Sequence, residues 1–113
     1  MKKAIVVTFE LGGIHCWPEC EIEKVSYLKN RHRHSFHFLA TKVVTDSDRE
    51  IEIISFKNRI IATLNVEYYN PNTSELDFGT MSCEHIAEWM TEEFELDSCE
   101  VLEDGENGAR VER

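Results

Sequence analysis

Hydrophobic residues along the chain fall into short runs whose spacing separates strands from helices. The run KAIVVTFE (3–10) is rich in β-branched residues and predicts a strand, which Gly12-Gly13 is expected to break or bend. The run RHSFHFLATKVVT (33–45) combines β-branched and aromatic residues and predicts a second, longer strand. Between them, residues 16–31 carry a proline and many charges, which indicates a loop with room for one turn of helix.

The segment IEIISFKNRIIATL (51–64) changes its period partway along. Its first residues alternate with period two, whereas Phe56, Ile60 and Leu64 recur at helical spacing. We therefore expect a short strand that gives way to a helix near residue 54. Turn-forming residues are dense in 68–80, which predicts a loop.

The most regular helical pattern is CEHIAEWMTEEFEL (83–96), which follows Ser82, a favourable N-cap residue. A short strand is predicted over 98–103 and a turn over 104–108, and residues 109–113 could add a final strand. In this order the elements predict the α+β class, with a four-stranded antiparallel sheet and two helices on one face.

Length and net charge limit the classes of protein to which this chain could belong. The 113 residues are enough for one domain, 1–113, and a hydrophobic fraction of 42% is typical of a folded protein. A formal net charge of −10 argues against nucleic acid as a partner, since phosphates repel such a surface. No apolar run approaches the roughly 20 residues needed to cross a bilayer, so we expect no membrane association.

The start of the chain and its cysteines indicate a reducing compartment. The segment after Met1 is too short for a signal-peptide core, so we expect a cytoplasmic protein with reduced thiols at Cys16, Cys20, Cys83 and Cys99. Cys16 and Cys20 form a C-x3-C pair, but no matching pair follows, so a zinc finger is disfavoured.

Two histidines begin the second predicted strand inside the basic stretch KNRHRHSF (29–36). Residues two apart on a strand share a face, so His32 and His34 would point the same way and could bind one Zn²⁺. His15 supplies a third ligand if the first two strands are neighbours, and three histidines with an open position are typical of a catalytic zinc site. The alternative is a solvated cationic loop with no metal.

Four segments in order resemble the 6-pyruvoyl tetrahydropterin synthase / 6-carboxy-tetrahydropterin synthase family, which has the tunnelling fold. A histidine after the first strand (His15) is followed by a His-x-His at the start of the second (32–34). The next two are EIISFK (52–57), in the place of the family's Asp-Phe-x-x-Leu-Lys, and MSCEHIAEWM (81–90), which opens the second helix. The fourth is VLED (101–104), where the family has a pterin-anchoring glutamate.

The resemblance implies a function as well as a fold. It implies Zn²⁺ held by His15, His32 and His34, and a pterin- or purine-like ligand contacted by Glu103 and Glu84. A carboxylate suits such a ring because it can accept two adjacent N–H groups. The resemblance also implies a homo-oligomer and zinc-assisted lyase or hydrolase chemistry.

Two parts of the family pattern are missing. The family's catalytic cysteine precedes the His-x-His, but VSYLKN (25–30) contains none, and its Leu-Asp-His triplet here reads LDF (76–78). The catalytic residues therefore stay unassigned, and a non-catalytic binding module of the same fold, or a structural domain without metal, remains an alternative. Arg31 and Arg33 are expected to help hold an anionic substrate near the metal.

Overall fold

Six strands form one mixed sheet in the computed structural model, which describes residues 1–113. The strands are β1 (Lys3–His15), β2 (His32–Val44), β3 (Tyr69–Asn70), β4 (Glu75–Gly79), β5 (Ser98–Glu103) and β6 (Asn107–Glu112). The helices are a 3₁₀ helix (Glu23–Lys29), α1 (Ile53–Tyr68) and α2 (Cys83–Glu93). The strand order is β3-β4-β1-β2-β5-β6; β1 and β4 are parallel, and the other neighbours are antiparallel.

The α+β class is confirmed, but the four-stranded antiparallel sheet is wrong. Two additional strands, β3 and β4, lie in the segment 68–80 that was predicted as a loop. Leu76 and Phe78 are buried on one side of β4, and this alternation spans only five residues. The turn residues that flank it obscure so short a pattern.

The strand predicted at the start of 51–64 is also wrong, because α1 begins at Ile53. The carboxylate of Glu52 caps the helix by accepting the backbone N–H groups of Ile54 and Ser55, at 2.7 and 2.9 Å. These bonds hold the pKa of Glu52 below its usual value. Ile53 and Ile54 are 50% and 66% exposed, so the apolar alternation there does not reflect a buried strand face.

Gly12 and Gly13 do not break β1, which pairs with β2 without interruption from Lys3 to His15. Both glycines are positions of close approach. A Cβ on Gly13 would lie 2.8–2.9 Å from ring atoms of Phe36 and Phe78, and one on Gly12 would meet the carboxylate of Glu75. Glycine keeps the strand regular here because other side chains occupy the space that a Cβ would need.

Both α-helices pack on the same face of the sheet, as predicted. The core combines alternate residues of the central strands with the apolar stripes of the helices; it includes Val7, Phe9, Phe36, Phe38, Phe56, Ile60, Leu64, Ile86 and Met90. Toward the end of β1 and the start of β2, the same face carries histidines instead of apolar residues. None of the helices is both long and apolar enough to span a membrane.

Gly108 in β6 gives a first testable prediction. A Cβ at this position would overlap the backbone carbonyl oxygen of Val101 in β5, so Gly108→Ala must push the two strands apart. We expect the free energy of unfolding to fall by about 1–3 kcal/mol, measured by urea denaturation. The adjacent exposed variant Asn107→Ala serves as the control, and equal stability of the two variants would contradict the predicted overlap.

Candidate metal centre

Three histidines converge where β1 ends and β2 begins. His15 lies directly opposite His32 in the antiparallel register, and His34 is two residues further along β2 on the same face. The ring centroids are 4.7 Å apart for His15 and His32, 5.4 Å for His15 and His34, and 5.0 Å for His32 and His34. The structure therefore brings together the three side chains that the sequence predicted as neighbours.

A carboxylate completes the cluster. One ligand atom from each of His15, His32, His34 and Glu103 lies within 4.8 Å of the others. Glu103 reaches the cluster because it ends β5 beside β2, paired with Phe36. The family resemblance implied that Glu103 anchors a ligand ring, and it did not imply a contact between Glu103 and the histidines.

In each of the three imidazoles, Nδ1 has a hydrogen-bond acceptor. His15 Nδ1 lies 2.9 Å from the carbonyl oxygen of Met81, and His32 Nδ1 lies 2.7 Å from that of Asn30. His34 Nδ1 lies 2.8 Å from Oδ2 of Asp104. Because a carbonyl or carboxylate oxygen can only accept, each Nδ1 carries the proton, and in the neutral rings Nε2 has a free lone pair.

All three Nε2 atoms are buried and lack a hydrogen-bond partner. Oε2 of Glu103 lies 2.9 Å from Nε2 of His15, but two atoms that both present lone pairs attract only if a proton or a cation lies between them. A group of buried acceptors without a donor is costly unless a positive charge joins it. These residues therefore fit a metal ion, with Nδ1–H donation to oxygen as their supporting contacts.

The local electrostatics favour neutral His15 and ionised Asp104. Burial lowers the pKa of His15, and this outweighs the opposing effects of the Met81 carbonyl and the Glu103 charge. The hydrogen bond from His34, together with the backbone N–H of Ser35, holds the pKa of Asp104 below its usual value. Neutral imidazole is the form that binds metals.

A pocket of about 400 Å³ opens directly onto this cluster. His15, His32 and Glu103 form part of its wall; the others are Cys16, Trp17, Leu28, Thr80, Met81, Ser82, Cys83, Glu84, Asn107 and Gly108. Glu84, the second predicted ligand-binding carboxylate, thus lies at the same pocket, in the first turn of α2. The volume is in the range of small-molecule sites.

The two arginines of the basic stretch are paired with acidic side chains of β4, and their expected role toward an anionic substrate stays a prediction. Arg31 lies 2.7 Å from Asp77, and Arg33 lies 2.6 Å from Glu75. The second pair crosses β1 at Gly12, where no side chain intervenes. The stretch is basic in the sequence, but its two guanidinium groups are neutralised by β4.

The remaining histidines lie outside the cluster. His37 is on the opposite face of β2, with Nε2 3.5 Å from a carboxylate oxygen of Glu10. His85 accepts a hydrogen bond from the backbone of Ser82, while the Ser82 hydroxyl accepts one from the backbone of His85. This reciprocal cap explains His85 without a metal.

Cys83, Cys20 and the altered triplet do not provide the missing catalytic groups. Burial, followed by the charge of Glu103, raises the pKa of the Cys83 thiol to about 12, so this pocket cysteine stays protonated and is a poor nucleophile. Cys20 is fully buried. Phe78, which stands where the family has histidine, is buried and packs against Phe36 and Tyr68.

Comparison with known proteins gives a likeness in structure but none in sequence. No protein-family profile matches the chain, and no curated protein matches its sequence. The structure is similar to that of Caenorhabditis elegans 6-pyruvoyl tetrahydropterin synthase, with a TM-score of 0.71 and 11% identity, over 100% of this chain and 96% of that one. At such low identity the likeness concerns the arrangement of the backbone, and this chain shares the fold of that synthase over its whole length.

Proposed function

We propose that this protein binds zinc through His15, His32 and His34 and acts on a pterin- or purine-like molecule by metal-assisted lyase or hydrolase chemistry. The observation that carries the proposal is the set of three buried Nε2 atoms without partners. Two of the three histidines, His15 and His32, also line a pocket. The likeness to the synthase supports the choice of ligand class.

Zinc suits this donor set. Three neutral imidazoles and a carboxylate match the nitrogen and oxygen ligands that zinc prefers, whereas calcium and magnesium prefer oxygen alone. A zinc ion bound there would supply Lewis-acid polarisation of an oxygen on the ligand. Met81, Asn30 and Asp104 would keep the imidazoles oriented through their Nδ1–H groups.

Other pocket residues would bind and orient the ring. The carboxylates of Glu103 and Glu84 would accept N–H groups at its edge, as the family resemblance implies. Trp17 and Met81 would cover its faces, because a planar heterocycle stacks favourably on aromatic and apolar side chains. Trp17 is 45% exposed in the free protein, which leaves one side of its indole available.

A second candidate is a non-catalytic binding module with the same metal and pocket. The protonated Cys83 thiol and the buried Phe78 favour it, because both positions lack a group able to exchange protons near neutral pH. Loss of a nucleophile or base normally lowers a rate by orders of magnitude.

Assembly of several copies belongs to the same proposal. The sheet ends in β3 on one side and β6 on the other, and both outer strands have unpaired backbone groups. Such edges are usually covered in folded proteins, and edge-to-edge pairing of identical copies would cover both. We therefore expect a homo-oligomer.

The two candidates are separated by incubating the zinc-loaded protein with 7,8-dihydroneopterin triphosphate. Chromatography measures turnover, and quenching of indole fluorescence measures binding. Trp17→Phe is the control, since it removes the pocket tryptophan and leaves Trp89, which packs between Tyr68 and Phe94. We expect saturable quenching that Trp17→Phe largely abolishes. Turnover would establish that the protein is an enzyme, and binding without turnover would establish that it is a binding module. The absence of binding would reject this ligand class.

A further inference from the structure

Glu103 is positioned differently from the other carboxylate of the pocket. Its Oε2 lies 2.9 Å from Nε2 of His15 and 3.6 Å from Nε2 of His34, whereas Glu84 makes no comparable contact with a histidine. Glu103 is also half-buried, and Glu84 is exposed. The glutamate therefore faces the same point as the imidazole lone pairs.

These two distances are close to the edge length of a coordination tetrahedron. Zinc bonds of about 2.0–2.2 Å in tetrahedral geometry place ligand atoms roughly 3.3–3.6 Å apart. The observed 3.6 Å to His34 lies at the upper limit of that range, and the observed 2.9 Å to His15 is shorter than the range. A site of three histidines that left its fourth position to solvent would not need a carboxylate oxygen at this distance.

The turn between β5 and β6 holds Glu103 in place. Asp104, the next residue, donates its backbone N–H to the carbonyl oxygen of Ser35 at 2.8 Å and accepts the Ser35 N–H at 3.0 Å. The same carboxylate accepts from His34. Asp104 and Gly105 both have positive φ, 56° and 72°, so the chain reverses directly after the glutamate. The β5–β6 turn therefore fixes the position of one candidate ligand, Glu103, and supplies the carboxylate that orients another, His34.

We propose that Glu103 is the fourth metal ligand, which closes a three-histidine, one-carboxylate site in the absence of a bound ring. This inference rests on the proposed function, because it assumes that the histidines bind a metal. It also changes the role of the glutamate. A carboxylate with one oxygen on the metal can accept only one N–H of a ring through its other oxygen, so two-point anchoring requires Glu103 to leave the metal.

Cobalt(II) titration of the metal-free protein tests this proposal, because four-coordinate Co²⁺ absorbs visible light more strongly than six-coordinate Co²⁺. We expect wild type to bind one Co²⁺ with the intense four-coordinate spectrum. Glu103→Gln should weaken the affinity at least tenfold, since loss of even a supporting contact typically costs about 10–100-fold, and should change the spectrum. Glu100→Gln, on the same strand but paired with Arg110, removes the same charge away from the site and should bind as wild type does.

The outcomes separate the two proposals. If wild type binds no Co²⁺, the metal site itself is wrong. If wild type binds and Glu103→Gln keeps the same affinity and spectrum, only the role of Glu103 is wrong. Should Glu103→Gln fail to fold, a crystal structure of zinc-loaded wild type decides: we expect Oε2 at about 2.0–2.2 Å from the metal, and a water in that place would overturn the proposal.

Discussion

Zinc affinity is expected to fall at least about 10–100-fold when His15, His32 or His34 is replaced by alanine. Each substitution removes one of the three buried Nε2 atoms, and loss of a direct ligand should cost at least as much affinity as loss of a supporting contact. The metal content of each purified protein, measured by mass spectrometry, and competition with a chromophoric chelator give the size of the loss. Wild type should contain one zinc per chain.

The chain offers a matched control on the same strand. His37 belongs to β2, like His32 and His34, but lies on the opposite face beside Glu10. His37→Ala should therefore retain the zinc content of wild type. Equal zinc in wild type and in the three cluster variants would exclude these side chains as the ligands.

Replacing Phe36 with alanine is expected to reduce the free energy of unfolding by about 3–5 kcal/mol. Phe36 is fully buried and packs against Phe78. Domains of this size are typically stable by only about 5–15 kcal/mol, so the variant should lose a large part of its stability. Urea denaturation of metal-free protein measures the change without a contribution from zinc.

Phe36 also joins the core to the candidate metal centre. Its ring lies edge-on to those of His15 and His34, with centroids 5.3 and 5.7 Å away. Phe36→Leu, which keeps most of the apolar volume, should cost clearly less than Phe36→Ala. A loss below about 1 kcal/mol for Phe36→Ala would contradict the packing described here, because burial of a large side chain contributes more than this.

The turn residues show why part of the sheet could not be predicted. β4 has five residues between Asn-, Pro- and Gly-containing turns, and its partner β1 lies some 60 positions earlier in the chain and runs parallel to it. Alternation within so few residues is not distinguishable from a loop, and no local pattern specifies a parallel partner. The prediction of a four-stranded sheet was wrong for this reason.

Glu52 shows the opposite case: the start of α1 depends on a local contact of its side chain, but the pattern of apolar residues around it favoured a strand. The alternation of isoleucines at 51–54 predicts a strand, whereas the carboxylate of Glu52 binds the first free N–H groups of α1. Glutamate is not among the usual N-cap residues, so the pattern of apolar residues dominated the interpretation. The exposed isoleucines that follow belong to the first turn of the helix.

The contacts that orient the histidines were beyond prediction for a different reason. Two of the three acceptors are backbone carbonyl oxygens, of Met81 and Asn30, and every residue type carries such a group. Only Asp104, next to the predicted Glu103, offered a signal through its side chain. Its positive φ and its contact with His34 depend on the β5–β6 turn meeting the start of β2.

By itself, the sequence determined the common direction of His32 and His34, because the two-residue period of a strand follows from backbone geometry alone. It also predicted the strands β2 and β5, the first part of β1 (3–10) and the helix α2, where apolar residues recur at strand or helical spacing. Only the tertiary structure decided that His15 faces His32, that β4 joins β1, and that Glu103 approaches the imidazoles. These three features depend on the register and order of strands that lie far apart in the chain. Packing of the whole core selects that register and order, and no local segment specifies them.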